Sequence, residues 1–235
     1  MNFIKVENYE QLSEMAAKII ADVVIEKPDC VIGLATGSSP VGTYKKLGEW
    51  NKEGKLDFSK VMSINLDEYE GLEGTHDQSY RYFMNKNFFD FINIDKANTY
   101  VPNGKADDID AECKAYDERI QKFGIDIQLL GIGVDGHIGF NEPDEFFTKE
   151  THKVVLDEST IVANSRFFES IDDVPKTALT MGMGGIMSAK KVLLVANGQN
   201  KKEILEKAFF GPITPKVPAS ILQLHNDVTV IFSEK

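Results

Sequence analysis

The sequence predicts an α/β fold: one domain over residues 1–235, a single doubly wound, mostly parallel sheet with helices on both faces. Three observations carry that expectation. Short apolar runs such as Val31-Ile32-Gly33-Leu34-Ala35 and Val192-Leu193-Leu194-Val195-Ala196 read as strands buried on both faces. Stretches with helical spacing of apolar residues lie between them. The chain, at 235 residues, is long enough to bury a sizeable core without a disulfide or metal staple. In order, residues 3–6 read as a first strand. Asn8 caps a helix carrying Leu12, Met15, Ala16, Ile19, Ile20, Val23 and Val24, and Pro28 closes it. A strand at 31–35 leads through the loop 37–42 into a helix running to about Lys52. Residues 61–66 form the next strand, followed by a polar loop and a helix around 80–91. A short strand at 99–101 and a helix at 107–123 precede the buried strand 127–132 and the loop 133–143. Residues 153–156 read as a strand, and 157–185 show no dominant period. A strand at 192–196, a helix at 201–209 and a last strand at 228–232 complete the pattern.

Composition narrows the function. With 37 acidic and 26 basic residues the net charge is −11, which disfavours nucleic acid and anionic membrane surfaces as partners. A small anionic substrate stays open, because it needs only two or three local cations. Cys30 and Cys113 are too far apart in sequence for a zinc motif and read as small core residues. The N-terminus shows no basic-then-apolar leader, and no apolar run approaches the ~18 residues of a membrane span. The expectation is a soluble cytoplasmic protein.

In open α/β sheets ligands bind beyond the carboxyl ends of the strands. Three unusual segments follow directly on buried strands: 36–40, 67–69 and 135–143. In the first, Thr36, Gly37, Ser38 and Ser39 offer free N–H groups and hydroxyls just before a helix starting near Pro40. That suits a phosphate at a helix N-terminus, although an ordinary turn of small residues would look the same. Gly37 and Gly42 have the spacing of a nucleotide P-loop, but Thr43 stands where its lysine belongs. Cationic candidates for the same phosphate are Arg166 and Lys201, the latter opening a helix after Gly198-Gln199-Asn200.

The third segment holds Asp135, His137 and Glu142 within eight residues. A histidine flanked by carboxylates is fixed in one tautomer and has its imidazolium stabilised, which makes a proton-transfer unit. Gly131-Ile132-Gly133-Val134-Asp135-Gly136 also fits a dinucleotide fingerprint, but Gly139 and Pro143 leave no room for the helix it must open, so no nicotinamide cofactor is expected. Asp67 stands at a strand tip backed by apolar residues, where a carboxylate becomes a base with a raised pKa. His76, His137, His152 and His225 show no short ligand spacing, so no metal site is assigned. The nucleophile elbow G-x-S-x-G is absent.

The segments 35–40, Asn65-Leu66-Asp67-Glu68-Tyr69, 136–143, Ala163-Asn164-Ser165-Arg166-Phe167-Phe168 and Ser220-Ile221-Leu222-Gln223-Leu224-His225 occur in the order found in the glucosamine-6-phosphate deaminase (isomerase) family, which the chain resembles from about Val31 to Phe232. The resemblance implies a Rossmann-like sheet and conversion of D-glucosamine 6-phosphate and water to D-fructose 6-phosphate and ammonia, a step of amino-sugar catabolism. It implies no redox cofactor and no catalytic metal. It assigns ring opening to His137 with Asp135 and Glu142, the C2-to-C1 proton transfer to Asp67, and phosphate contacts to Thr36, Gly37, Ser38, Ser39, Arg166 and Lys201. The family's allosteric hexamers have a longer C-terminal tail and basic residues after the Asn-Glu-Pro motif. Here the chain stops at Lys235 and 144–154 lacks that pattern, so an unregulated monomer is expected. The polar, weakly periodic segment of about 145–175 is a lid candidate. Two other readings stand beside this one: a 6-phosphogluconolactonase, which needs no C2 base, and a non-catalytic sugar-phosphate sensor.

Overall fold

A computed structural model of the chain describes residues 1–157, 161–162, 165, 168 and 170–235, with the backbone alone at 172. The described strands are β1 (Asn2–Val6), β2 (Val31–Leu34), β3 (Met62–Asn65), β4 (Asp67–Tyr69), β5 (Thr99–Tyr100), β6 (Ile127–Leu130), β7 (His152–Val155), β8 (Thr177–Thr180), β9 (Lys191–Asn197) and β10 (Val228–Ser233). The described α-helices are α1 (Tyr9–Glu26), α2 (Val41–Lys52), α3 (Tyr80–Asn87), α4 (Ile109–Phe123), α5 (Met183–Met187) and α6 (Lys202–Phe210). Seven strands form one sheet in the order β1-β10-β9-β6-β2-β3-β5, with every neighbouring pair parallel. The doubly wound expectation therefore holds. None of the described helices is long and apolar enough to cross a membrane.

The two-residue period of the strands sorts the core into two layers. Ile32, Leu34, Ile127, Leu129, Leu193, Val195 and Ile231 pack with the apolar side of α1 and α2. Val31, Leu130, Val192, Leu194, Val228 and Val230 pack on the other side with Tyr116 and Ile120 of α4 and Ile204, Leu205 and Ala208 of α6. The α1 cap is the expected one: the Asn8 side chain accepts the Gln11 N–H at 3.0 Å. Cys30 and Cys113 are buried and free, as core residues.

From β2 the chain steps to β3 and β5 on one side, then returns to β6 on the other and continues to β9 and β10. The topological switch lies between β2 and β6, so a crevice opens where the loops after them diverge.

Three expectations are corrected. The segment 67–69, expected as a loop, is strand β4, which pairs antiparallel with β8, itself paired with β7. The strand at 153–156 was expected, but its sheet was hidden because the strands are three or four residues long and β4 meets β8 across more than 100 residues of sequence. The helix around 80–91 stops at Asn87 and a 3-10 turn, Phe89–Phe91, follows. Phe88 and Phe89 are both fully buried, which consecutive residues on one surface helix cannot achieve; the bend turns Phe88 onto Tyr44 at 4.8 Å and Phe58 at 5.7 Å. Within 157–185, β8 and α5 carry regular structure that the sequence pattern did not show.

Candidate active site

A cavity of about 310 Å3 opens at the switch point, lined by the loop after β2, by Leu66 and Asp67, by the loop after β6 and by Tyr80 and Lys201. All three segments singled out from sequence meet there. Thr36, Gly37, Ser38, Ser39, Asp67, Asp135, His137 and Lys201 all line the cavity. Glu142 sits behind His137, and Arg166 lies outside the described residues. The lid candidate of about 145–175 lies partly outside them too; its described portion includes β7, which is held in the small sheet.

The loop after β6 folds back tightly enough for a charge cluster. Gly133 N–H donates to the His137 carbonyl at 2.9 Å, and Gly136 takes a φ of +95° that side-chain-bearing residues rarely adopt. His137 Nδ1 lies 2.8 Å from Asp135 Oδ1 and 3.2 Å from Glu142 Oε2. The Asp135 carboxylate also accepts the His137 backbone N–H at 3.1 Å. Both carboxylates thus converge on one ring nitrogen, leaving Nε2 for a ligand. Burial works to lower the His137 pKa, but the two carboxylates outweigh it and raise it to about 9. Burial works to raise Asp135, and the His137 ring outweighs that, holding it well below the usual carboxylate range. Asp135, His137 and Glu142 each offer a ligand atom within 4.8 Å of the others, a spacing open to a cation as well as to an ion pair.

Asp67 opens β4 directly after β3, and its neighbour Glu68 turns away from the cavity. The Glu68 carboxylate accepts N–H groups from Tyr69 at 2.9 Å, Tyr80 at 2.8 Å and Arg81 at 3.0 Å, fastening the first turn of α3 to β4. Asp67 is 6% exposed, and its side chain has no hydrogen-bond partner among the described residues. Burial, then the Glu68 charge, push its pKa up to about 8, with His137 pulling the other way.

The loop after β2 enters α2 through Pro40 with no side-chain cap, so the helix N-terminus is open to an anion. Sequence reasoning missed what braces it. Tyr9 of α1 donates its hydroxyl to the Ser38 carbonyl at 2.9 Å and accepts the Gly42 N–H at 2.9 Å. Lys201 reaches across to donate to the Ile132 carbonyl at 2.7 Å; burial lowers its pKa, partly offset by Asp135. Tyr80, also missed, lines the cavity and bonds Thr36, while its ring packs on Tyr69 at 4.8 Å and Phe140 at 5.8 Å. No sequence motif marks either tyrosine, because each acts through contacts made only on folding. No helix follows Gly136, so the dinucleotide fingerprint lacks the element it needs.

The chain is 61% identical to a glucosamine-6-phosphate deaminase of Lachnoclostridium phytofermentans over 232 residues, 98% of each chain. It is 57% identical to one of Clostridium perfringens over 235 residues, 100% of this chain and 97% of that one. Among solved structures it superposes on a monomeric glucosamine-6-phosphate deaminase with a TM-score of 0.97 at 47% identity, covering 99% of this chain and 97% of that one. The 6-phosphogluconolactonase of Thermotoga maritima shares the fold, with a TM-score of 0.79 at 19% identity over 100% of this chain and 99% of that one. The family model for glucosamine-6-phosphate isomerases/6-phosphogluconolactonase matches residues 5–231, from the first strand of the parallel sheet to its last, and the chain belongs to that family.

Proposed function

We propose that this chain is a glucosamine-6-phosphate deaminase, turning D-glucosamine 6-phosphate and water into D-fructose 6-phosphate and ammonia. Full-length relatives at 57–61% identity carry that name. The observation that carries the reading is the pair of separately tuned proton-transfer groups in one cavity, His137 raised to about 9 and Asp67 raised to about 8. Ring opening needs a proton taken from the anomeric hydroxyl and one delivered to the ring oxygen. His137, with Nδ1 held by Asp135 and Glu142, serves both through Nε2. Isomerisation needs the C2 proton removed and a proton returned to C1, and a buried carboxylate with an elevated pKa suits both halves. The resulting imine is hydrolysed by water, releasing ammonia. The open N-terminus of α2, the hydroxyls of Thr36, Ser38 and Ser39, and Lys201 receive the phosphate, with Arg166 assigned by the family pattern alone.

The imidazolium itself occupies the place between the two carboxylates, which favours an ion pair over a metal there. The chain works as a monomer, like its structural relative, and in the cytoplasm, since a phosphorylated sugar does not cross membranes unaided. The test is ammonia release from glucosamine 6-phosphate by chelator-treated protein, with and without N-acetylglucosamine 6-phosphate. Hyperbolic turnover unchanged by the acetylated sugar is expected. Lactone hydrolysis without ammonia would overturn the reading in favour of a lactonase. Activity lost on chelation and restored by a divalent cation would overturn the metal-free mechanism. In the same assay, Asp67→Asn is expected to slow exchange of the C2 hydrogen with solvent by about 10²-fold or more.

A further inference from the structure

The small antiparallel sheet ends on a residue that pairs with the strand of one proton-transfer station and bonds the loop that carries the other. Thr180, the last residue of β8, is fully buried. Its backbone stands opposite Asp67 of β4 on one side and His152 of β7 on the other. Its hydroxyl Oγ1 accepts the N–H of Phe140 at 3.0 Å, three residues beyond His137. The next residue, Met181, donates its N–H to the Leu66 carbonyl at 2.7 Å. The Met181 carbonyl in turn accepts Asn141 Nδ2 at 2.9 Å, and the same amide bonds the Ile138 carbonyl at 2.9 Å. Between the two stations lies Gly139, at φ +62°, where a Cβ would stand 3.0 Å from Thr180 Oγ1 and 3.5 Å from Asp67 Oδ2. The loop that carries His137 is therefore seated against the end of β8, and β8 is laddered to the strand that carries Asp67.

We propose that Thr180 is a positioning residue that sets the separation of His137 from Asp67. The proposal rests on the deaminase reading above. That reaction asks two groups to act in turn on one bound sugar, one at the ring oxygen and anomeric hydroxyl, the other at C2 and C1. Neither station can be moved without loss, because a misplacement of about 1 Å costs about 10²-fold in rate. The two stations lie 70 residues apart in sequence, on different elements, so something must hold them in register. The side-chain hydroxyl of Thr180 does this from one side and the Asn141 amide from the other.

The test replaces Thr180 by valine, which keeps the shape and removes the acceptor, and by serine, which keeps it. Thr180→Val is expected to lower kcat about tenfold with KM within about twofold, since the loop loses one anchor of several and shifts by less than 1 Å. Thr180→Ser is expected to stay within about threefold of wild type. Amide hydrogen exchange at Phe140 is read in parallel. It needs no substrate, so it reports on the clamp even if ammonia release by the wild-type protein fails. Faster exchange in the valine variant and protection in the serine variant are expected. Unchanged kcat in Thr180→Val despite faster Phe140 exchange would overturn the proposal, as would equal losses of kcat in the valine and serine variants. If the valine variant does not fold, Thr180→Cys, with similar volume and a weak acceptor, is read by the same criteria.

Discussion

Asp67 reaches about 8 because burial penalises its charged form and Glu68 adds a like charge. His137 reaches about 9 although burial works against it, because two carboxylates share its Nδ1. A base that must lose its proton and an acid that must keep its own give a bell-shaped dependence of kcat/KM on pH, with limbs near these values. Glu68→Gln removes the like charge beside Asp67, so the acid limb is expected to move to lower pH. Glu142→Gln removes half of the support for the imidazolium, so the alkaline limb is expected to move down as well. Profiles of the three proteins check both shifts, and an immobile acid limb in Glu68→Gln would detach Glu68 from the tuning of Asp67. The same burial has a cost in stability. A carboxyl whose folded pKa lies above its unfolded value stabilises the fold below the unfolded pKa, and that contribution is lost as pH rises through the folded one. Asp67→Asn removes the group, so its stability advantage over wild type should grow by about 1.4 kcal/mol per pH unit between about pH 5 and pH 7. Urea unfolding at several pH values measures it.

At the scale of elements, the phosphate end of the site depends on how α1 meets α2. A Cβ at Gly42 would come within 2.2 Å of Ser13 Oγ, so only glycine lets the first turn of α2 approach α1 this closely. The approach brings the Tyr9 hydroxyl between the Ser38 carbonyl and the Gly42 N–H. Tyr9→Phe leaves that carbonyl and that N–H without their partner and frees the loop. It is expected to raise KM for the sugar phosphate severalfold, hold kcat within about twofold, and cost about 1 kcal/mol of stability. Steady-state kinetics, with inorganic phosphate as a competing ligand, separates these effects. A fall in kcat at constant KM would instead place Tyr9 with the proton-transfer groups. At the other end of the cavity, Glu68 seats α3 on β4 and thereby fixes where Tyr80 enters. The element that looked like a charged loop is thus a strand that joins base, helix and aromatic wall.

Across the whole molecule, chemistry and stability occupy opposite ends of the parallel sheet. The carboxyl ends of β2 and β6 open on the cavity, while Asp126, just before β6, ties their amino ends together. Its carboxylate accepts the buried Val31 N–H at 2.8 Å and meets Lys27 at 2.7 Å and Lys190 at 2.8 Å. Burial works to raise its pKa, but those partners outweigh it and lower it, so its contribution is present at neutral pH and lost in acid. Both lysines are well exposed, so the cost of removing the carboxylate falls mainly on the Val31 N–H. Asp126→Ala is expected to destabilise the fold by about 1–3 kcal/mol with kcat and KM unchanged at low temperature. Urea unfolding beside kinetics checks the separation, and a changed KM would show that the two ends are coupled.

By itself the sequence determined the repeating order of strands and helices, the Asn8 cap, and the cluster of Asp135, His137 and Glu142. These are local properties: periodicity within one element, or charge within eight residues. It also marked Asp67 and the small-residue loop, because a strand tip in a parallel sheet has a known direction. Only the tertiary structure decided that β4, β7 and β8 pair, that Tyr9 and Tyr80 support the cavity, and that Thr180 spans its two stations. The strand pairs join residues 22 to 113 positions apart, and Tyr9 meets Ser38 across 29. Their side chains carry no periodic signal, since burial there comes from a partner that arrives only when the chain has closed.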